Sequence, residues 1–333
     1  MKNQKLKTKM RVEMHGVQTR YSKEEEEALL RAVRELNSFT QGAELENFEK
    51  EFADYIGVPA AVGVCNGTAA LELAATLAQI GPGDEVIVPA HTFVGSAVPF
   101  ARRGAKLVFA DIDPDTRLIS TETIRPCINQ RTRLVVVVHL YGLMADMDPI
   151  MELSKKHQLV VVEDCAQSPG AADDGKKAGS IGDFGCFSFH TNKNITTLGE
   201  GGMLTCQSQE DAIRVKKLRW LGNWPFEDKR EKYWVPAMNN LVLAIEGVWP
   251  YNFCLSDIQA AVGRVLLRRL DSINEQRRKQ AEFFKQALSD CPGISFQKVR
   301  QRESHVYHLM STQYDGSVYQ INRDHLIERL WQE

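Results

Sequence analysis

Residues 184–202 read FGCFSFHTNKNITTLGEGG, in which Ser188 closes a short apolar run and Lys193 follows five residues later. A lysine amine at the end of a strand, beside a hydroxyl that can hold phosphate, is the equipment of covalent catalysis. The same residues also describe an ordinary strand, a polar loop and a glycine turn, with the lysine in water. Other strand ends carry matching groups. LVVVED ends in Asp164, with Gln167 shortly after, so a carboxylate stands where a buried strand emerges. VGVCNGT ends in Gly67 and Thr68 at the start of a helix, which offers N–H groups, a hydroxyl and the positive end of a helix dipole to an anion. VIVPAHTF brings the aromatic face of Phe93 to the same rim. Each group has a plain alternative: Asp164 as a helix cap, Gly67-Thr68 as a strand-to-helix turn, Phe93 as core. Four strand ends with complementary groups are harder to explain as four separate accidents.

The elements that must position these groups follow from periodicity. Compact apolar runs at 60–64, 85–89, 106–110, 134–140, 159–164, 185–189 and 202–206 read as strands, and most are separated by helical patterns such as 68–80 and 147–157. Continuous apolar strands alternating with helices predict an α/β fold with a mostly parallel sheet covered on both faces, and such sheets bind ligands at the carboxyl ends of their strands. Ahead of the first strand, Ser22 with Glu25 makes a capping box for a helix through EEEALLRAVREL, and a second helix follows through ENFEKEFADYI.

Composition narrows the field. The chain has 333 residues, 43% of them hydrophobic and 25% charged, which fits a large core plus a smaller domain. A net charge of -2 gives no polyelectrolyte signature and no reason to expect nucleic acid. The seven cysteines form no C-x-x-C pair, which argues against a zinc or disulfide scaffold and suits a reducing cytoplasm. The start, MKNQKLKTKMR, is basic without a signal peptide's apolar segment, and no run of about 18 apolar residues exists to cross a membrane. The organisation expected is a basic arm over 1–20, a large α/β domain over 21–250 and a small α+β domain over 251–333.

The one ligand that needs all of these groups is pyridoxal phosphate: an amine for its aldehyde, a carboxylate for its pyridine nitrogen, an aromatic ring against its face and hydroxyls with a helix N-terminus for its phosphate. The motifs NGTAALELA, VIVPAHTF, VHLYGLMADMDPI, VVEDCAQSPGA and SFHTNKNITTLGEGGML resemble those of the DegT/StrS-type nucleotide-sugar aminotransferases, of the fold-type-I pyridoxal-phosphate enzymes, in order from about residue 18 to the C-terminus. The resemblance implies that Lys193 is the Schiff-base lysine and proton shuttle, that Asp164 pairs with the pyridine nitrogen and that Gln167 lies beside the 3-hydroxyl. It makes Gly67, Thr68 and Ser188 phosphate ligands and Phe93 the stacking ring. Asn252, in GVWPYNFCLSDIQAAVG, matches an asparagine that reaches the phosphate of the neighbouring subunit, although Phe253-Cys254 replaces the tyrosine and arginine that often follow it. A homodimer with shared sites is therefore expected. Asn252 also reads as a turn residue before the helix that Ser256 caps.

The resemblance implies an amino donor, usually glutamate, and a nucleotide-linked keto-sugar acceptor, with no metal. A dehydratase branch of the family carries histidine where this chain has Lys193, so the lysine favours transamination. His190 reads as a packing or substrate-rim residue, and Glu200-Gly201-Gly202 as a tight reversal without a catalytic role. Near the C-terminus a long helix over 256–288, a strand over 305–314 and a helix over 321–333 are expected. Relatives continue for several tens of residues, so the chain looks truncated there, which leaves a non-catalytic or regulatory cofactor-binding homologue as the alternative. The identity of the sugar, the nucleotide and the aminated position is not legible in the residues.

Overall fold

The computed structural model describes residues 21–222 and 243–332; the basic arm expected over 1–20 lies outside them. The strands are β1 (Ala60–Val64), β2 (Glu85–Pro89), β3 (Lys106–Ala110), β4 (Thr132–Val138), β5 (Val160–Asp164), β6 (Ala172–Asp173), β7 (Lys176–Lys177), β8 (Phe184–Ser188), β9 (Gly202–Cys206), β10 (Ile294–Phe296), β11 (Glu303–Ser304) and β12 (Thr312–Tyr314). The helices are α1 (Lys23–Glu35), α2 (Ala43–Ile56), α3 (Gly67–Leu77), α4 (Val98–Arg102), α5 (Thr121–Ile124), α6 (Met147–His157), α7 (Gln209–Arg219), α8 (Asp257–Ala287), α9 (Gly316–Tyr319) and α10 (Arg323–Gln332).

Seven strands form one sheet in the order β1-β9-β8-β5-β4-β2-β3. The pairs β3·β2, β2·β4, β4·β5 and β5·β8 are parallel, whereas β9 is antiparallel to both β8 and β1. The reversal has a local cause. Parallel neighbours need a crossover, usually a helix, but the β8–β9 connection folds on itself, with Phe189 N–H donating to Gly201 O at 2.7 Å and Thr197 N–H to Phe189 O at 3.1 Å. Gly201 is required in that hairpin: its φ is +156°, and a Cβ there would come within 2.0 Å of Thr197 Oγ1. Because only β9 is reversed, the carboxyl ends of β1, β2, β4, β5 and β8 share one rim.

The capping boxes at Ser22 and Ser256 both form. Glu25 of the first box also pairs with Arg269, fastening α1 to α8. Leu255, Ala260, Leu266 and Leu270 of the α8 region join the sheet's own hydrophobic core.

The strand expected over 305–314 is broken. Only its last part is a strand, β12, which pairs with β10; the two-residue β11, which pairs with β6, ends just before the expected span at Ser304. Between them Val306 N–H donates to Gly142 O at 3.0 Å and Leu309 N–H to Tyr141 O at 3.3 Å, so these donors go to the turn after β4 instead of a ladder. Tyr307, at φ +42°, ends the extended run.

Candidate active site

At the rim the strand ends meet. Gly67, the first residue of α3, rests on the end of β8: a Cβ there would stand 2.9 Å from Ser188 Cβ and 3.2 Å from Phe187 O, so only glycine lets the helix start this close. A Cβ at Gly95 would lie 2.9 Å from the Phe93 ring and 3.5 Å from Thr68 Oγ1, which places Phe93 beside Thr68. The Phe93 ring is 68% exposed and free to face a ligand. Gln167 Oε1 accepts the Tyr141 N–H at 2.6 Å, tying the segment after β5 to the turn after β4 and leaving the Gln167 amide N–H groups as donors.

Asp164 is 6% exposed, and its described partners are neutral. Ser96 Oγ donates to Oδ2 at 2.6 Å and Ala166 N–H to Oδ1 at 3.0 Å. Neutral donors compensate a buried carboxylate only in part, and beside Lys193, whose charge also reaches it, the arrangement suits a cationic N–H brought by a ligand. Lys193 sits half-buried on the β8–β9 hairpin, its backbone N–H donating to His190 O at 2.9 Å. Burial holds its ammonium below the ordinary lysine value, while the Asp164 charge pulls the other way. The first N–H groups of α3 lack intrahelical partners. An anion cradle, an exposed ring, an amine and a buried carboxylate therefore line one rim, a donor set that fits pyridoxal phosphate at every functional end.

Asn252 is separate within this chain. It is exposed, in a bridge with Trp220, on a segment where Phe253 O accepts the Cys65 N–H at 2.7 Å. It makes no described bond to Gly67, Thr68 or Ser188. His190 lies at the surface, 3.9 Å from Glu200.

Several supporting residues escaped the sequence reading. Ser96 is one. Another is Glu163, fully buried, which accepts from His139 Nε2 at 2.8 Å and from the N–H groups of Gly179, Ile181 and Gly182. Burial pushes its carboxyl up, but these bonds win and hold it below the usual range. His139 Nδ1 accepts the Ala145 N–H at 3.1 Å, so the ring's proton is on Nε2. Although His139, Glu163 and Cys165 bring ligand atoms within 4.8 Å of one another, the nitrogen and carboxylate atoms are engaged, and burial drives the Cys165 thiol far up. The cluster is a buttress behind β5. Asn194, next to Lys193, is a third: its Nδ2 donates to Asn274 Oδ1 at 2.9 Å and Val306 O at 3.2 Å, and its Oδ1 meets His308 Nδ1 at 3.2 Å. Only the glutamate of the Glu163-Asp164 pair could have been suspected from its place at a strand end.

The reversed strand and the rim shared by Lys193 and the buried Asp164 mark an α/β fold with a ligand site at the carboxyl ends of its strands. The chain belongs to the DegT/DnrJ/EryC1/StrS aminotransferase family, whose pattern matches residues 20–333. It is 41% identical over 248 residues to the GDP-perosamine synthase of Caulobacter vibrioides, an alignment covering 74% of this chain and 62% of that protein. Its fold superposes on that of DesV from S. venezuelae with a TM-score of 0.80 at 35% identity, covering 92% of this chain and 77% of that one. Spr1654 of Streptococcus pneumoniae, solved in a PLP form, gives a TM-score of 0.76 at 27% identity over 89% of this chain and 76% of that one. Aminotransferases of this family depend on pyridoxal phosphate.

Proposed function

We propose that this chain is a pyridoxal-phosphate-dependent aminotransferase that moves an amino group from an amino acid, glutamate, to the keto carbon of a nucleotide-linked sugar for polysaccharide or antibiotic-sugar synthesis. The observation that carries this is the buried Asp164 carboxylate, held by neutral donors on the same rim as a lysine whose ammonium is disfavoured by burial. Its relatives' names support the sugar class. When bound, the cofactor supplies an electron sink that stabilises negative charge at the donor carbon.

The chain's own groups divide the rest. Gly67, Thr68 and Ser188 hold the phosphate with the dipole of α3. Phe93 covers the ring face, and Gln167 donates to the 3-hydroxyl. Asp164 accepts from the ring nitrogen and keeps its proton in place. Lys193 Nζ, kept a readier base by burial, takes the Cα proton of the donor and later returns a proton to the sugar carbon. Among the described residues no helix is long and apolar enough to cross a membrane, and scattered reduced cysteines suit a cytoplasmic enzyme.

The protein acts as a homodimer in which Asn252 serves the partner's phosphate. Co-expressed Lys193→Ala and Asn252→Ala chains, each impaired alone, should then regain activity; no rescue from demonstrated mixed dimers removes Asn252 from the shared site. The function itself is tested by incubating the protein with pyridoxal phosphate, glutamate and a panel of nucleotide keto-sugars, with mass spectrometry for the amino-sugar product. Formation of one amino-sugar nucleotide supports the reading, and a panel without product, alongside active control enzymes, counts against it.

A further inference from the structure

We propose that Ser96 is a positioning residue for this reaction, and that a hydroxyl relay from Thr92 through Ser96 fixes the carboxylate of Asp164 toward the cofactor. The inference rests on the proposed function. Ser96 is 1% exposed, and its Oγ lies 2.6 Å from Asp164 Oδ2 and 2.8 Å from Thr92 Oγ1. An ionised carboxylate only accepts, so Ser96 must give its proton to Asp164 and take its second bond from the Thr92 hydroxyl. The relay is thus polarised toward Asp164, and successive hydroxyls strengthen one another in a buried setting. With Ala166 N–H on Oδ1 at 3.0 Å, each oxygen is anchored by one donor, the carboxylate cannot rotate freely, and lone pairs remain for a ring N–H.

The same short turn carries the ring support. Ser96 N–H donates to Phe93 O at 3.0 Å, and Gly95 lies directly under the Phe93 ring. One turn after β2 therefore sets both the face contact and, through Ser96, the carboxylate at the nitrogen end. The nearby thiols of Cys165 and Cys186 are driven far up by burial and by Asp164 itself, so they stay protonated and add no second negative charge beside the carboxylate.

The test uses the full chain, first stripped of cofactor and titrated with pyridoxal phosphate, then loaded and mixed with glutamate. A hydrogen bond to a charged group predicts that Ser96→Ala binds pyridoxal phosphate about tenfold more weakly and runs the glutamate half-reaction about tenfold more slowly. The glutamate concentration for half-maximal rate should not move. Ser96→Thr, which keeps the hydroxyl, should restore both values to within about threefold, and Thr92→Val should show about a threefold loss of each. Wild-type affinity and rate in Ser96→Ala would overturn the inference, as would a Ser96→Thr protein equally impaired and equally lowered in melting temperature. If Ser96→Ala does not fold, Thr92→Val decides alone, unchanged values overturning the relay. A wild-type protein that binds no pyridoxal phosphate overturns the proposed function itself, a result distinct from a working wild type whose Ser96 variants are silent.

Discussion

The sheet rim and the segment after α8 are built on opposite plans. Strands β1, β2, β5 and β8 are held by fully buried residues such as Val62, Ile87, Val162 and Phe187, and their ends carry every residue proposed for pyridoxal phosphate except Asn252. After α8 the strands have two or three residues, and α10 leaves Ile327, Leu330 and Trp331 exposed, the last at 80%. The rim is preorganised by its own core; the C-terminal segment takes its shape from what it touches. The two regions join next to the lysine, through Asn194, Asn274, Val306 and His308. The proposed chemistry falls to the rim, and the C-terminal segment meets it at this joint.

The largest effect should come from the rim. Lys193→Ala should lower turnover by about 10^4-fold or more, since it removes both the nucleophile and the proton carrier. Non-covalent cofactor should remain, because the proposed phosphate, ring and nitrogen contacts come from other residues, most of them on other strands. Assays on the reconstituted variant, with dialysis to count retained cofactor, check both parts. Asp164→Asn should slow the reaction by roughly 10^2-fold or more and leave the melting temperature within a few degrees, because an amide keeps the shape but not the charge opposite the ring nitrogen. Near-normal turnover there would demote Asp164 to a cap.

The joint should respond less. Asn194→Ala leaves the half-buried His308 and the Val306 carbonyl without this partner, which should cost about 1–3 kcal/mol in a denaturant melt and lower turnover only severalfold.

The joint should also sense acid. Burial, with Lys285 nearby, lowers His305 to about 3, and burial with Lys193 and Arg277 lowers His308 to about 3. Both rings titrate near 6.5 when unfolded. Their neutral state therefore favours the fold above about pH 6.5, and that stability is lost as pH falls from there toward 3, on the order of 2 kcal/mol per ring by pH 5. Melts of wild type and His305→Gln against pH should show a shallower acid decline in the variant. Smallest of all, Trp331→Ser should change stability by less than about 0.5 kcal/mol, since the ring is mostly exposed.

The contrast also explains what was legible in the sequence. Apolar runs at 60–64, 85–89 and 202–206 match β1, β2 and β9 residue for residue, because a strand buried in a covered sheet writes its burial into every position, and 106–110 matches β3 although Lys106 and Phe109 of that edge strand are exposed. Strand ends likewise pointed to the residues the proposed function uses: Gly67 after β1, Asp164 at the end of β5, and Ser188 and Lys193 at and after the end of β8. Ser96 and Asn194 stayed hidden, since a serine in a turn and an asparagine in a loop carry no periodic signal; their meaning comes from partners 68 and 80 residues away. The strand expected over 305–314 forms only at Thr312–Tyr314. Its β-forming residues are real, but the turn at Tyr141-Gly142 takes their donors. Local propensity yielded to a tertiary contact.

The central claim, that this rim is a working transaminase site, is tested most directly by the first half-reaction alone. Purified protein reconstituted with pyridoxal phosphate should show a visible absorption band that collapses when glutamate is added, with one 2-oxoglutarate released per site and no sugar present. A band indifferent to glutamate and to other amino acids, or no band at all, would contradict the claim.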